Sequence, residues 1–431
     1  MSLLIKNISE IYTMDKDFRK IQNGFIYIEN NKIKNIGSDH TELNTDNTDH
    51  IISAEGKIAL PGFVNCHTHT AMTLMRGFAD DLPLQTWLEE KIWPLEANLS
   101  AKDVYWGTLL GILEMISSGV TTFCDMYFFM DQVAEAVKKS GMRAVLGIGL
   151  IEEQDGEKGL NEALEFALNH QSQSERISTV LSPHAPYTCS PAYLCDIIGL
   201  SKEYNIPLNI HVSETKKEYD YIKKKYNRTP VQHLENIGLW ERPTTAAHCV
   251  HLDEKDIGIL SKYEAGVSYN AQSNMKLGSG IAPITELIGE GVNVGLGTDG
   301  ASSNNNLDMI EEARTASYLQ KVKHEDPTKL NLEKTAQMLT GGGAMALHLQ
   351  NLGILKKNYL ADIILIDINK EFTDYPHHNN LSNLLYAGNR NKIDTVIING
   401  NIVMDQGDFL FLEPDRILKE AEMRASNLLK K

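Results

Sequence analysis

The sequence predicts an α/β fold: a (β/α)8 TIM-type barrel carrying a small β-sandwich domain built from both chain ends. Three observations predict it. Eight short β-branched apolar runs alternate with helical stretches through the middle of the chain. The flanks alternate instead as strands. An Asn-Gly pair near the C-terminus sits between two such strands, where it supplies the two positive φ angles of a type I′ turn.

In chain order, residues 1–56 contain a hairpin pattern, Phe25–Glu29 and Lys32–Ile36 around Asn30-Asn31, followed by the acidic, amide-rich stretch Ser38–His50, which reads as a solvated loop. The eight central runs are Ile58–Cys66, Val120–Asp125, Arg143–Leu150, Ile177–Leu181, Leu208–His211, Thr245–His248, Gly266–Tyr269 and Val292–Gly297. Segments between them show apolar spacing near 3.6 and recognisable ends. Ser100 with Asp103 forms a capping box, Ser190-Pro191 an N-cap and first turn, and Gly141 a helix stop. Eight such units in about 300 residues are what a barrel requires, although an open doubly wound sheet would show the same alternation. Beyond them, Asp362–Ile366 reads as a strand, Val396–Ile398 and Asn401–Met404 as the Asn399-Gly400 hairpin, and Asp415–Lys431 as a surface helix. Neither flank alone has enough strands for a stable sheet, so the two are paired. The expected organisation is residues 1–56 together with 355–431 as the β-domain, and 57–354 as the barrel.

Composition narrows the function. The 431 residues are 42% hydrophobic and carry a formal net charge of −16. So acidic a surface repels phosphate backbones and anionic lipid, which argues against nucleic-acid polymers and membranes and for a small-molecule ligand. Five cysteines without C-x-x-C spacing, no basic leader and no long apolar run are those of a cytoplasmic protein. Composition leaves the oligomeric state open, a homo-oligomer included.

The chemistry begins at His67-Thr68-His69, directly after the first barrel run. In extended backbone, side chains at i and i+2 leave the same face, so both imidazoles can reach one metal ion. A lone strand-end histidine is ordinarily a hydrogen-bonded structural residue, and an Asp-Gly is ordinarily a turn. Here, however, His211 ends run five, His248 ends run six, His184 follows run four, and Asp299 follows run eight within Gly297-Thr298-Asp299-Gly300. Barrel strand ends converge on one mouth. His67, His69, His211 and Asp299 would supply three nitrogens and a carboxylate, a donor set that suits zinc with a position left for water. Glu214, just past His211, is placed to shuttle protons there.

With these residues stand longer stretches: Pro61–Gly77 (PGFVNCHTHTAMTLMRG), Trp93-Pro94-Leu95-Glu96, SPHAPYTCS, HVSET, AAHCVHL and SNMKLGSGIAP running on to GTDGASSNNNLDM. Over essentially the whole chain the sequence resembles the 5′-methylthioadenosine/S-adenosylhomocysteine deaminases of the amidohydrolase superfamily. The resemblance implies hydrolytic deamination at the adenine C6, with a metal-bound hydroxide as nucleophile. His67, His69, His211 and Asp299 would hold one zinc, with Fe2+ or Mn2+ as alternatives. Glu214 would protonate the ring nitrogen, Asp299 would take the water's proton, and His248 would orient the hydroxide. Glu96 would bind the ribose hydroxyls, and His184 would contact the nucleoside. Two-metal members of the superfamily bridge their ions with a lysine at the end of strand four. Ile177–Thr188 has none, so one metal ion is implied.

One departure from the family pattern concerns specificity. Members that accept S-adenosylhomocysteine carry arginines at and after the end of strand three. Here Ile148 aligns with the first of them, and the acidic interval Glu152, Glu153, Asp155 and Glu157 follows, read as a loop. A nucleoside with an uncharged 5′ end is therefore expected. The competing readings are a guanine-type or triazine amino- or chlorohydrolase on the same scaffold, and a non-catalytic barrel protein.

Overall fold

The structure, a computed structural model, describes residues 2–38, 48–171 and 173–430. Its centre is a closed barrel of parallel strands: β1 Phe63–Thr68, β2 Val120–Tyr127, β3 Arg143–Leu150, β4 in two pieces (Ile177–Thr179 and Ser182–Pro183), β5 Leu208–Val212, β6 Thr244–His248, β7 Gly266–Tyr269 and β8 Asn293–Leu296. Each strand pairs with its sequence neighbour. β8 returns to β1 through Leu296 and Asn65, and a Leu181–Leu208 bridge joins β4 to β5, so no edge is left open. The open-sheet alternative is excluded. β1 is buried along its whole length, and helices such as Ala101–Ser117 and Met309–His324 cover the outside.

The expected helix ends are present. Ser100 and Asp103 form a reciprocal capping box, Ser190 caps the helix Pro191–Tyr204, and Gly141 ends Met130–Ser140 at φ 84°. Both hairpins form, with Asn399 and Gly400 at φ 52° and 77°. Strands from the two chain ends join in one nine-stranded sheet, where Ile363–Asp367 pairs with Lys57–Pro61 and Ser2–Tyr12 with Lys20–Glu29. Isoleucines and leucines of both flanks share its core, including Leu3, Ile26, Ile28, Ile363 and Leu365.

The first central run and the domain boundary need correcting. Ile58–Cys66 is not one strand: residues 57–61 belong to the flanking sheet, and the barrel starts after Gly62. Periodicity cannot reveal this, because both halves are buried and apolar. The switch is steric: a Cβ at Gly62 would lie 2.1 Å from Thr121 Oγ1. The interval Glu152–Gln171 is helical, broken at Gly156, rather than a loop. Most of the expected loop Ser38–His50 lies outside the described residues, and its last residue opens the strand His50–Ser53.

One buried ion pair ties barrel to sheet. Arg143, at the start of β3, donates through Nε and Nη2 to the two oxygens of Asp362 (3.0 and 3.1 Å), and Asp362 also accepts from the Asn399 backbone. Removing one partner of a buried pair strands the other charge, typically at about 3–5 kcal/mol. Asp362→Ala should lose stability of that order in urea unfolding. A loss under about 1 kcal/mol would show that Arg143 finds water or another partner.

A candidate metal centre at the barrel mouth

Side chains from five different strands meet at the carboxyl end of the barrel. β1 turns out of the barrel through His67-Thr68-His69, and its pleat aims both imidazoles inward with ring centroids 4.9 Å apart. β5 contributes His211, 4.7 Å from the His67 ring. The ligating atoms of His67, His69 and His211 lie within 4.8 Å of one another. Asp299 leaves β8 with its Oδ1 at 3.6 Å from His67 Nε2 and 3.4 Å from His69 Nε2.

This arrangement fits a divalent metal. His69 Nδ1 faces the Met126 carbonyl at 2.7 Å, and His211 Nδ1 faces the His184 carbonyl at 2.7 Å. An imidazole that donates from Nδ1 keeps its Nε2 lone pair for a ligand bond. His67 is fully buried, and neither of its ring nitrogens has a hydrogen-bond partner among the described residues. A buried imidazole without partners is costly unless something coordinates it. His67, His69, His211 and Asp299 are the residues that would hold the ion.

Two further groups stand over this cluster. His248, at the end of β6, lies 3.9 Å through Nε2 from Glu214 Oε2. Its Nδ1 faces the side-chain amides of Asn274 (2.9 Å) and Asn270 (3.3 Å). Burial pulls His248 down to about 3, only partly offset by Asp299, so the ring is neutral. Burial, and then the carboxylates of Asp299 and Glu218, hold Glu214 well above the usual carboxylate range. Asp299 goes the other way. Burial raises it, but the His67, His69 and His248 imidazoles outweigh burial and keep it ionised. One site thus holds one carboxyl pushed up and another held down by their surroundings, the division that acid–base chemistry uses.

The mouth is held in strained backbone. Ser213, His248, Cys249 and Asp299 all have positive φ, between 50° and 73°. Non-glycine residues stay in that region only where their surroundings enforce it. Glu218 does so for Ser213 and Glu214, accepting from both backbone amides at 2.8 and 2.9 Å. Ser273 donates to Asp299 Oδ2 at 2.6 Å and the Gly300 amide to Oδ1 at 2.8 Å. The fully buried Glu312 accepts from the Ala271 and Gln272 amides and so anchors the segment that carries Ser273 and Asn274. Sequence reading missed these supports. Only Glu218 left a trace, as the fourth residue of the capping pattern Thr215-x-x-Glu218.

Of the remaining predicted residues, His184 and Glu96 lie along the cavity that leads away from the cluster. His184 borders it next to His211, with ring centroids 4.9 Å apart. Burial pulls His184 down to about 4, and the His69 and His67 rings add to this. Glu96, in the turn Trp93–Glu96, accepts from the Tyr127 hydroxyl at 2.6 Å. Burial pushes its carboxyl up to about 7 against that hydrogen bond. Ile148 does not reach the metal-site cavity and lines a second, outer cavity that also borders Glu96. Of the acidic residues after β3, Asp155 lines that outer cavity, whereas Glu152 turns to accept from Ser190. His233 stacks on Tyr226, and His251 and His348 contact carbonyls away from the site, consistent with structural roles.

Comparison with known proteins agrees with this geometry. A model of the amidohydrolase family matches residues 58–403. The chain is 52% identical over 424 residues to a 5-methylthioadenosine/S-adenosylhomocysteine deaminase of Halothermothrix orenii, covering 98% of each chain. It is 50% identical to a protein of the same name from Carboxydothermus hydrogenoformans, covering 100% of this chain and 99% of that one. Among solved structures, a zinc-bound adenosine deaminase from Xanthomonas campestris superimposes with a TM-score of 0.95 at 31% identity, over 100% of this chain and 99% of the other.

The cluster should hold a divalent metal ion tightly enough to survive purification. Elemental analysis should find it in the wild type and find it largely lost in His67→Ala and His211→Ala. Retention in both variants would mean that these imidazoles are not the ligands.

Proposed function

As the chain belongs to the amidohydrolase family, it is an enzyme, and we propose that it hydrolyses the C6 amino group of adenosine-type nucleosides of the methylthioadenosine/S-adenosylhomocysteine class, releasing ammonia and the inosine analogue. The observation that carries this reading is Glu96, set beyond a one-acid, one-base centre. The far end of the cavity offers a hydrogen-bond acceptor suited to a ribose diol, which neither a free guanine base nor a triazine possesses. The complete ligand set with its acid and base also speaks against a non-catalytic barrel.

The metal, which we infer to be one zinc ion, supplies when bound a water acidic enough to be deprotonated near neutrality. Asp299, ionised beside His67 and His69, would be the base that accepts its proton. His248 is held by Asn274 and Asn270 at Nδ1, so its Nε2–H is free to orient the attacking oxygen. Glu214, kept protonated by burial, donates to N1 of the purine and so lowers the cost of adding to C6. The proton on Asp299 then passes to the departing amine, and the C6 hydroxyl returns its proton to Glu214 as the carbonyl forms. His184 borders the space for the base, and the Glu96 carboxylate accepts the sugar hydroxyls. Ile148 stands beside Glu96 where an arginine would be needed for a 5′ carboxylate, which favours an uncharged 5′ group over an acidic one.

The direct test is ammonia release from methylthioadenosine, S-adenosylhomocysteine, 5′-deoxyadenosine, adenosine, guanine and a chlorotriazine. Methylthioadenosine should lead S-adenosylhomocysteine. Turnover of guanine or the triazine alone would overturn the reading. Glu214→Gln should keep the metal and lose about 10²–10⁴-fold in kcat, and a near-normal kcat would remove Glu214 from the proton transfer. Because Glu96 accepts best when ionised and is raised to about 7, KM should climb as pH falls below about 7. Glu96→Gln should have a higher KM that is flat over that range. An identical KM profile in wild type and variant would take Glu96 out of substrate binding.

A further inference from the structure

A second cavity of about 680 Å³ opens from the proposed nucleoside site. The two cavities share Trp93, Glu96, Phe128 and Gly149, so Glu96 stands at their junction. If the sugar diol sits on Glu96, as the proposed function requires, the base occupies the inner cavity and whatever extends from C5′ enters the outer one.

The outer cavity's chemistry is one-sided. Asp131, Asp155, Glu162 and Glu165 line it along with Glu96, and among the described residues no Lys, Arg or His does. From outside the lining, the highly exposed Lys158 lies 3.3 Å from Glu162, and the His170 imidazole Nε2 lies 2.8 Å from Asp131. Asp155 accepts from the Ile151 backbone amide, a neutral donor. Aromatic rings supply an independent second feature, since Trp93, Phe128, Phe129 and Phe166 also line the space. Ring faces attract cations and give a carboxylate nothing in exchange for its water.

We propose that this outer cavity is a subsite for the nucleoside's 5′ substituent, and that it selects a positively charged group, an ammonium or sulfonium, over a carboxylate. The selection rests on the deaminase reading above and adds a charge preference to it. A neutral methylthio group fits the apolar wall at Ile148 and Phe128. A cation reaching past them meets ring faces and then carboxylates. A carboxylate at the same depth meets like charge on several sides. Partly exposed carboxylates act weakly one by one, but several facing one charge add up, and an advantage of about tenfold for the cation is expected at low salt.

The test uses the purified, metal-loaded enzyme and three adenosines that differ only at C5′: methylthio, aminopropylthio and carboxyethylthio. At low salt, kcat/KM for the aminopropylthio compound should exceed that for the carboxyethylthio compound by about tenfold, with the methylthio compound between them. The ratio should shrink in 0.5 M salt, by about threefold or more, and shrink again in Glu165→Lys, which replaces one exposed carboxylate of the wall by a cation. Equal values, or a lead for the carboxylate, would overturn the subsite. Isothermal titration with the same three compounds separates the two readings: ranked affinities without ammonia release would overturn the reaction alone, and equal affinities would overturn the subsite alone.

Discussion

Everything at the barrel mouth depends on four side chains brought together there, three imidazoles and one carboxylate. Among the described residues His67 has no hydrogen-bond partner at either ring nitrogen, and Asp299 sits within 3.6 Å of two imidazole nitrogens. Such a group of buried donors is unfavourable by itself, since each gives up hydration and repels or starves its neighbours. It becomes stable when a cation satisfies all of them together. The rest of the architecture serves that constraint. A closed barrel brings β1, β5 and β8 to one point, carbonyls fix two imidazole tautomers, and Ser273 and Gly300 hold the carboxylate.

The same burial separates the two acid–base groups. Asp299 is surrounded by imidazoles and stays ionised, while Glu214 looks toward Asp299 and Glu218 and stays protonated. Asp299 thus keeps the ionised form it would have in water, whereas Glu214 is pushed away from it. The left-handed backbone at Ser213, His248, Cys249 and Asp299 is the steric counterpart of this electrostatic arrangement. The buried carboxylate of Glu218 holds it at Ser213 through backbone amides, and Glu312 holds the Ala271 and Gln272 amides of the segment that carries Ser273 and Asn274. A second layer of this kind explains why the site needs more acidic residues than its chemistry uses.

Much of this was legible in the sequence. The alternation of apolar runs marked the barrel, Asn399-Gly400 marked a hairpin, and His67, His69, His211, His248 and Asp299 were legible because each falls at a strand end. What stayed hidden depends on pairing in three dimensions. Gly62 divides one apolar run between two sheets, and both halves are equally buried. Ser273, Asn274 and Glu312 lie on helices, where their residue types are ordinary, and matter only through contacts with distant strands. The acidic interval after β3 was visible as composition, but not which carboxylates face the cavity. Its helical winding turns Glu152 toward Ser190 and brings Glu162 and Glu165 to the wall instead.

The central claim is that metal ligands, Asp299 and Glu214 together stabilise a tetrahedral carbon at C6 of a nucleoside. Sites complementary to a transition state bind its stable mimics at least about 10²-fold more tightly than substrate. The decisive measurement is the Kd of a 5′-methylthio nucleoside whose C6 is already tetrahedral and hydroxylated, set against KM for methylthioadenosine. The account predicts Kd at least about 10²-fold below KM in the metal-loaded enzyme, with most of that advantage lost in the metal-free protein and in Glu214→Gln. Equal binding by metal-loaded and metal-free protein, or a Kd no tighter than KM, would contradict it.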